Sequence, residues 1–212
     1  MTQRINFGNK NSRAGAGLLL AGFVTVTGLL GACAQPPVPD DQFYRLQIEA
    51  MPAARSQPLL DGVLEVERLL ADGITAGRPL VYSVSGNAAQ LQEYNYHFWT
   101  EPPTIMLQGQ LIKYLRAANI AKNVVTPEMR VRSNYILGGK IHRLEKIIGA
   151  SPKVALEIEL GLREAKSEKL VHLNSYRVEV DAASDSIPAA VAALNDALSG
   201  IYARFVEELG KK

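Results

Sequence analysis

Apolar positions along the chain change period several times, and each change marks an element. Tyr44, Leu46 and Ile48 alternate with Arg45 and Gln47, the period-two spacing of a half-buried strand. Leu64 and Val66 stand opposed to Val63, Glu65 and Glu67 in the same way, which predicts a second strand over residues 62–68. A turn-rich stretch at 71–77 leads into a third strand at 78–83. Residues 91–96 predict a short edge strand, followed by His97-Phe98-Trp99. The spacing then becomes helical: Leu107, Leu111, Leu115 and Ala118 fall on one face, with Ile112 beside them. Thr100 is the expected cap, and Pro102 and Pro103 fit a first turn whose N–H groups have no helical partner. Gly109 weakens this helix by about 1 kcal/mol relative to alanine, so packing must hold it.

Beyond residue 130 the period of two returns and lengthens. Strands are expected over 135–144, 153–165 and 169–180, with turns at Gly149-Ala150-Ser151-Pro152 and Lys166-Ser167-Glu168. Leu156, Ile158, Leu160 and Leu162 alternate with Glu157, Glu159 and Gly161, and the short second turn makes the last two strands antiparallel. A closing helix begins near Pro188 behind a cap at Ser184, Asp185 or Ser186. Val191, Leu194, Leu198, Ile201 and Phe205 form its apolar stripe, which suits the protein's own sheet better than a coiled coil, and Gly210 ends it. The expected fold class is α/β: one domain over 42–212, a mixed, largely antiparallel sheet flanked by two main helices.

The first 32 residues read differently. Arg4, Lys10 and Arg13 precede an apolar run from Ala14 to Leu30, and small residues follow. Leu30-Gly31-Ala32-Cys33 then matches the bacterial lipobox: cleavage between Ala32 and Cys33, a diacylglyceryl group on the Cys33 thiol and an acyl chain on its freed amine. An ordinary signal peptide or an uncleaved span are the rival readings. Glycines at 15, 17, 22, 28 and 31 make the run a poor permanent helix. Two or more acyl chains suffice for stable attachment, so the lipid can replace it. Ala34 is not the aspartate that retains such lipoproteins at the inner membrane, which points to the outer membrane, facing the periplasm. Residues 33–41 are the lipidated cysteine and a proline-rich tether, of which 34–41 span about 25 Å when extended.

Removal of this leader also changes the charge. Of 23 Lys+Arg against 21 Asp+Glu, three basic residues leave with it, and a body close to neutrality remains. No nucleic-acid partner is expected. Cys33 is the sole cysteine, so once acylated it leaves no thiol for a disulfide or a metal, and no cofactor is expected beyond the covalent lipid. No Gly-x-Ser-x-Gly elbow, phosphate loop or His-Glu-x-x-His pair occurs. His97, His142 and His172 lack metal-ligand spacing and read as structural. Gly138-Gly139-Lys140 lies within a strand pattern, where a bulge or close packing explains the glycines. Ser83 or Ser85 with His97 is the only pairing an esterase could use. Arg130, Arg132, Lys140, Arg143 and Lys146 form a basic set suited to an anionic headgroup or an acidic protein surface, against the simpler reading of a solvated sheet face.

From Phe43 to Leu209 the chain resembles the ABC-type transport auxiliary lipoproteins, the PqiC-like group. The resemblance rests on Phe43-Tyr44-Arg45-Leu46, on Arg78-Pro79-Leu80-Val81-Tyr82-Ser83, and on Tyr94-Asn95-Tyr96-His97-Phe98-Trp99-Thr100-Glu101-Pro102-Pro103. It continues through Tyr135-Ile136-Leu137-Gly138-Gly139-Lys140-Ile141 and the alanine-rich last helix; the family more often carries alanine after the tryptophan. The resemblance implies a fold similar to the amino-terminal domain of the Tol-system propeller protein. It also implies an outer-membrane lipoprotein that works with an inner-membrane ABC permease and ATPase through a periplasmic protein of the mammalian-cell-entry type. Such systems move phospholipid or other hydrophobic molecules between the two membranes, and the ring-like partner suggests a homo-oligomer. Tyr94, Tyr96 and Trp99 are the matching motif residues, with Trp99 read first as a core anchor and then as a partner contact. A structural or assembly lipoprotein of another envelope complex is the alternative.

Overall fold

Where alternation is strongest, in the second half of the chain, the sheet has its spine. The computed structural model describes residues 37–211, so the leader, Cys33 and the start of the tether lie outside the described residues. In chain order the strands are β1 (Gln42–Tyr44), β2 (Leu60–Val66), β3 (Leu70–Ala71), β4 (Pro79–Val84), β5 (Asn87–Trp99), β6 (Ala121–Val125), β7 (Tyr135–Ile148), β8 (Lys153–Glu164) and β9 (Leu170–Asp181). The helices are α1 (Pro103–Ala117) and α2 (Ile187–Leu209).

One edge of β7 pairs antiparallel with β8 along almost its whole length, from Tyr135↔Glu164 to Ile147↔Lys153, and β8 pairs likewise with β9. The other edge of β7 is divided among three parallel partners. Its first residues take β2, its middle takes β3, and Glu145–Ile148 take β4. From β2 the sheet continues to β6, and from β4 through an antiparallel hairpin to β5 and β1. The result is a single mixed sheet of nine strands, largely antiparallel by paired length, curled about β7.

Burial on one side explains the stability. Leu137, Ile141 and Leu144 of β7 and Leu156, Ile158, Leu160 and Leu162 of β8 are buried with Leu107, Leu111 and Leu115 of α1 and Leu194, Leu198, Ile201 and Phe205 of α2 in one core. Fully burying each such side chain contributes about 1.5–3 kcal/mol. The stripe on α2 does face the protein's own sheet, against β8 and β9. The two helices are joined by the buried Tyr202, whose hydroxyl donates to the Leu107 carbonyl at 2.9 Å and whose ring meets Tyr114 edge-on. Ser186 caps α2, its side chain accepting from the Ala189 N–H. Gly139 is a close-packing glycine: a Cβ there would lie 2.3 Å from the Glu159 carbonyl oxygen of β8.

Several elements depart from expectation. Leu46 and Ile48 are buried as their alternation requires, yet β1 ends at Tyr44. The extended backbone that follows is held by side chains instead of a strand. Its N–H groups at Leu46, Gln47 and Ile48 donate to Met106 Sδ, Asn195 Oδ1 and Gln110 Oε1, so the segment is threaded between α1 and α2. Thr100 is not the cap of α1. Pro102 occupies that position without a side-chain bond, and Pro103 opens the helix. The short edge strand at 91–96 is part of β5, which runs from Asn87, turns from β4 at Ser85-Gly86 and joins His97-Phe98-Trp99 without a break. β6 had no signal in the apolar pattern, since only Ala121 and Val124 of its five residues are buried.

Candidate functional site

The motif residues converge where β5 meets β1 and α1. Trp99 is 2% exposed, and its backbone is clamped to Arg78: the Trp99 N–H donates to the Arg78 carbonyl, and Arg78 Nε returns a bond to the Trp99 carbonyl at 3.1 Å. Thr100 N–H then donates to the Tyr44 carbonyl. Trp99 is therefore a core anchor that fixes β1 and the start of α1 to the same point. Against β4, β5 takes five steps between Glu93 and Phe98 where β4 takes two between Val81 and Pro79. This bulge interrupts simple alternation, so Tyr94 and His97, three residues apart, meet edge to face at 5.4 Å. Tyr82 lies against Tyr94 at 4.6 Å, and the Tyr44 hydroxyl is 3.0 Å from His97 Nδ1. Tyr96 is half-buried beside this row, and Phe98 packs on Phe43 under the Arg78 guanidinium. Burial raises the Tyr94 and Tyr44 phenols above their ordinary range.

Beneath Tyr94 lies a cation that periodicity did not reveal. Lys146 is only 4% exposed; its ammonium donates to both the carboxylate and the carbonyl of Asp185, each at 2.6 Å, and to the Tyr94 hydroxyl at 3.4 Å. Three elements are tied there: β5, β7 and the loop before α2. A buried ammonium requires such partners.

The other members of the basic set are dispersed. Arg130 and Arg132 are exposed on the loop before β7, Lys140 is paired with Asp72, and Arg143 bonds Glu145 at 2.5 Å and Glu179 at 3.2 Å. Arg143 and Glu145 line or underlie a cleft of about 360 Å³ bounded by Ser83, Ser85, Gly86, Ser151, Lys153 and Glu179. Glu145 is buried, accepts from the Ser83 hydroxyl at 3.2 Å, and lies on the strand edge shared with β4. The lone acid within a basic run was the one available signal of this pairing. Ser83 is thereby engaged with a carboxylate, and His97 with a tyrosine, in place of each other.

His142 is exposed, whereas His172 is buried against α2, with Nε2 3.0 Å from the Tyr176 hydroxyl and 3.4 Å from Glu208. Tyr176 donates to Glu208 at 2.6 Å, and Asn174 adds a second bond. Foremost through the Tyr176 bond, the Glu208 carboxyl is held below its usual range. Burial first, then the neighbouring carboxylate, pushes the Tyr176 phenol well above its own. Among the described residues no group of histidine, cysteine and acidic side chains is placed to hold a metal, and no helix is long and apolar enough to cross a membrane.

The family model described as the ABC-type transport auxiliary lipoprotein component matches residues 44–205. Among solved structures, a Xanthomonas campestris protein of the DUF330 family superposes with a TM-score of 0.67 at 20% identity, over 78% of this chain and 92% of its own. A second, described only as an uncharacterized protein, superposes at 0.61 with 17% identity, over 81% and 99%. These likenesses carry the fold. No curated protein matches the chain.

Proposed function

Because the chain belongs to the ABC-type transport auxiliary lipoprotein family, we propose that it is the non-catalytic, lipid-anchored docking component of an ABC-type system that moves phospholipid or other hydrophobic molecules between inner and outer membranes. In this reading Cys33 carries a diacylglyceryl group and an N-terminal acyl chain after removal of residues 1–32. The body faces the periplasm from the outer membrane and meets a mammalian-cell-entry-type protein that leads to the permease and ATPase. Family membership over residues 44–205, almost the whole folded body, is the observation that carries it. Two further features support it. The lipobox precedes a short tether, and Ser83 and His97, one of the two pairs an esterase could use, bond Glu145 and Tyr44 in place of each other.

Detergent extraction followed by pull-down tests the assignment. Recovery of a mammalian-cell-entry protein and its permease is the expected result, whereas recovery of Tol or cell-wall proteins without any ABC-linked partner would overturn it. Cys33→Ala should abolish processing at that bond and remove the protein from the outer-membrane fraction. Unchanged fractionation with continued cleavage would refute the lipid anchor.

A further inference from the structure

The backbone enters β1 from one end of the sheet, and that end carries an arm without charge. β1 runs parallel to β5, with Gln42 opposite His97, so the chain traced back from Gln42 sets off along β5 toward the β4–β5 turn at Ser85-Gly86. Residues 84–93 are all exposed, so the arm stands clear of the core on both faces. From Val84 to Gln92 not one residue is charged, in a chain where 21% are. Nor does a lysine or proline guard β5 in this stretch, although exposed edges are ordinarily protected that way.

A second segment joins the arm at this end. β4 runs parallel to β7, with Val84 opposite Ile148, and Ser85 N–H donates to the Ile148 carbonyl at 2.8 Å. The β7–β8 turn therefore lies beside the hairpin. Gly149, Ala150 and Ser151 are exposed, and Ile147 to Pro152 are uncharged. Cations nearby are matched by acids: Lys153 with Asp181, Arg143 with Glu145 and Glu179, Lys146 with Asp185. Asp40 and Asp41 precede β1, so this end offers no positive excess to an anionic leaflet.

We propose that the hairpin at residues 84–92 and the turn at 149–152 form the membrane-facing end of the domain and lie on a zwitterionic phospholipid surface, that of the bilayer holding the acyl anchor. The proposal rests on the reading of Cys33 as the lipidated residue. Lengths agree with it. A tether of residues 33–41 spans at most about 30 Å. The strand from His97 back to the turn at Gly86 covers about 35 Å before its bulge is allowed for. The hairpin thus projects, in the direction from which the chain enters, about as far as the tether can stretch. Contact of this kind needs little intrinsic affinity, because the acyl chains already confine the domain to the surface. Asn87, Gln90 and Gln92 supply hydrogen bonds to headgroups, while Val84, Ala88 and Leu91 supply small apolar surface. Without net charge in the contact, it does not weaken with salt.

Acylated at Cys33, the mature chain has no other thiol, so an introduced cysteine is a unique labelling site. Ala88→Cys at the hairpin and Ser167→Cys in the β8–β9 turn at the opposite end of β8 are each labelled with an environment-sensitive fluorophore. The full acylated protein is then placed on vesicles of phosphatidylcholine and phosphatidylethanolamine containing a spin-labelled lipid. Quenching severalfold stronger at residue 88 than at residue 167, unchanged from low to high salt, is expected. Equal quenching, stronger quenching at 167, or shielding of 88 only when a partner protein is added would overturn the proposal. Flotation of the same vesicles separates the two readings: protein that leaves the vesicles refutes the anchor itself, whereas protein that floats with an aqueous residue 88 refutes the orientation alone.

Discussion

One substitution, made at two glycines, should change stability in opposite directions. At Gly139 an added Cβ would meet the Glu159 carbonyl oxygen at 2.3 Å and Leu160 Cδ2 at 2.9 Å, with Leu69 Cδ2 at 3.2 Å. The nearest of these is backbone of the partner strand, so β7 and β8 would have to part by about 1 Å to restore ordinary contact. Overpacking of this kind costs typically 1–3 kcal/mol. Alanine recovers about 0.5–1 kcal/mol of backbone entropy, which leaves Gly139→Ala about 2 kcal/mol less stable at the severe end of that range. At Gly109, in α1, an added Cβ meets nothing within 4 Å. Gly109→Ala should therefore gain about 0.8–1 kcal/mol. Urea unfolding followed through the single, buried tryptophan, Trp99, reads both. For a domain of this size the midpoints by heating should move about 4–8 °C down and about 2–4 °C up. A Gly139→Ala protein as stable as its parent would refute the close-approach account of β7.

Four other expectations follow from the polar contacts. Asp185→Ala strands the buried Lys146 ammonium and should cost about 1–2 kcal/mol, discounted because Asp185 is itself exposed. Lys146→Met should cost less, and the double variant should match it; additive losses in denaturant titrations would contradict the pairing. Glu208 has a depressed folded-state pKa, so its stabilisation is present above the usual glutamate range and is lost as pH falls through the lower folded value. Glu208→Gln should flatten the acid limb of a stability–pH curve. Tyr176 has the opposite sign: its raised phenol contributes fully below the ordinary tyrosine range and loses that contribution as pH rises beyond it, so Tyr176→Phe should reduce alkaline sensitivity. Tyr202→Phe removes the bond to the Leu107 carbonyl and should cost about 1 kcal/mol by the same unfolding assay.

Within the β7–β8–β9 meander, β8 was legible because its inward positions Leu156, Ile158, Leu160 and Leu162 are large and aliphatic while the residues between them are charged or glycine. Both long helices were legible for the same reason, and Trp99 proved a core residue as its motif context suggested. Parallel pairing was not legible. Which of β2, β3 and β4 shares which part of β7 depends on contacts remote in sequence. The reach of β5 was also hidden, since residues 87–93 are exposed on both faces and leave no alternation to detect. At Leu46 and Ile48 period two identified extended backbone correctly, but side chains of the two helices, not a strand, satisfy its N–H groups. The pairing of the basic set was not legible, because a linear run of cations says nothing about the acids folded against it. Asp72, Glu179 and Asp185 all come from other parts of the chain.

The shared edge of β7 sets an order of assembly. β2, β3 and β4 all precede β7 in the chain, and each needs it as a parallel neighbour. A polypeptide emerging amino-terminus first would leave one edge of each of those strands unpaired until residues 135–148 arrived. The β7–β8–β9 meander, whose contacts are local, can form at once and then recruit the earlier strands by slower, long-range closure. The first two thirds of the chain would therefore behave as a client for holdase chaperones, and fragments ending before Tyr135 would aggregate instead of folding.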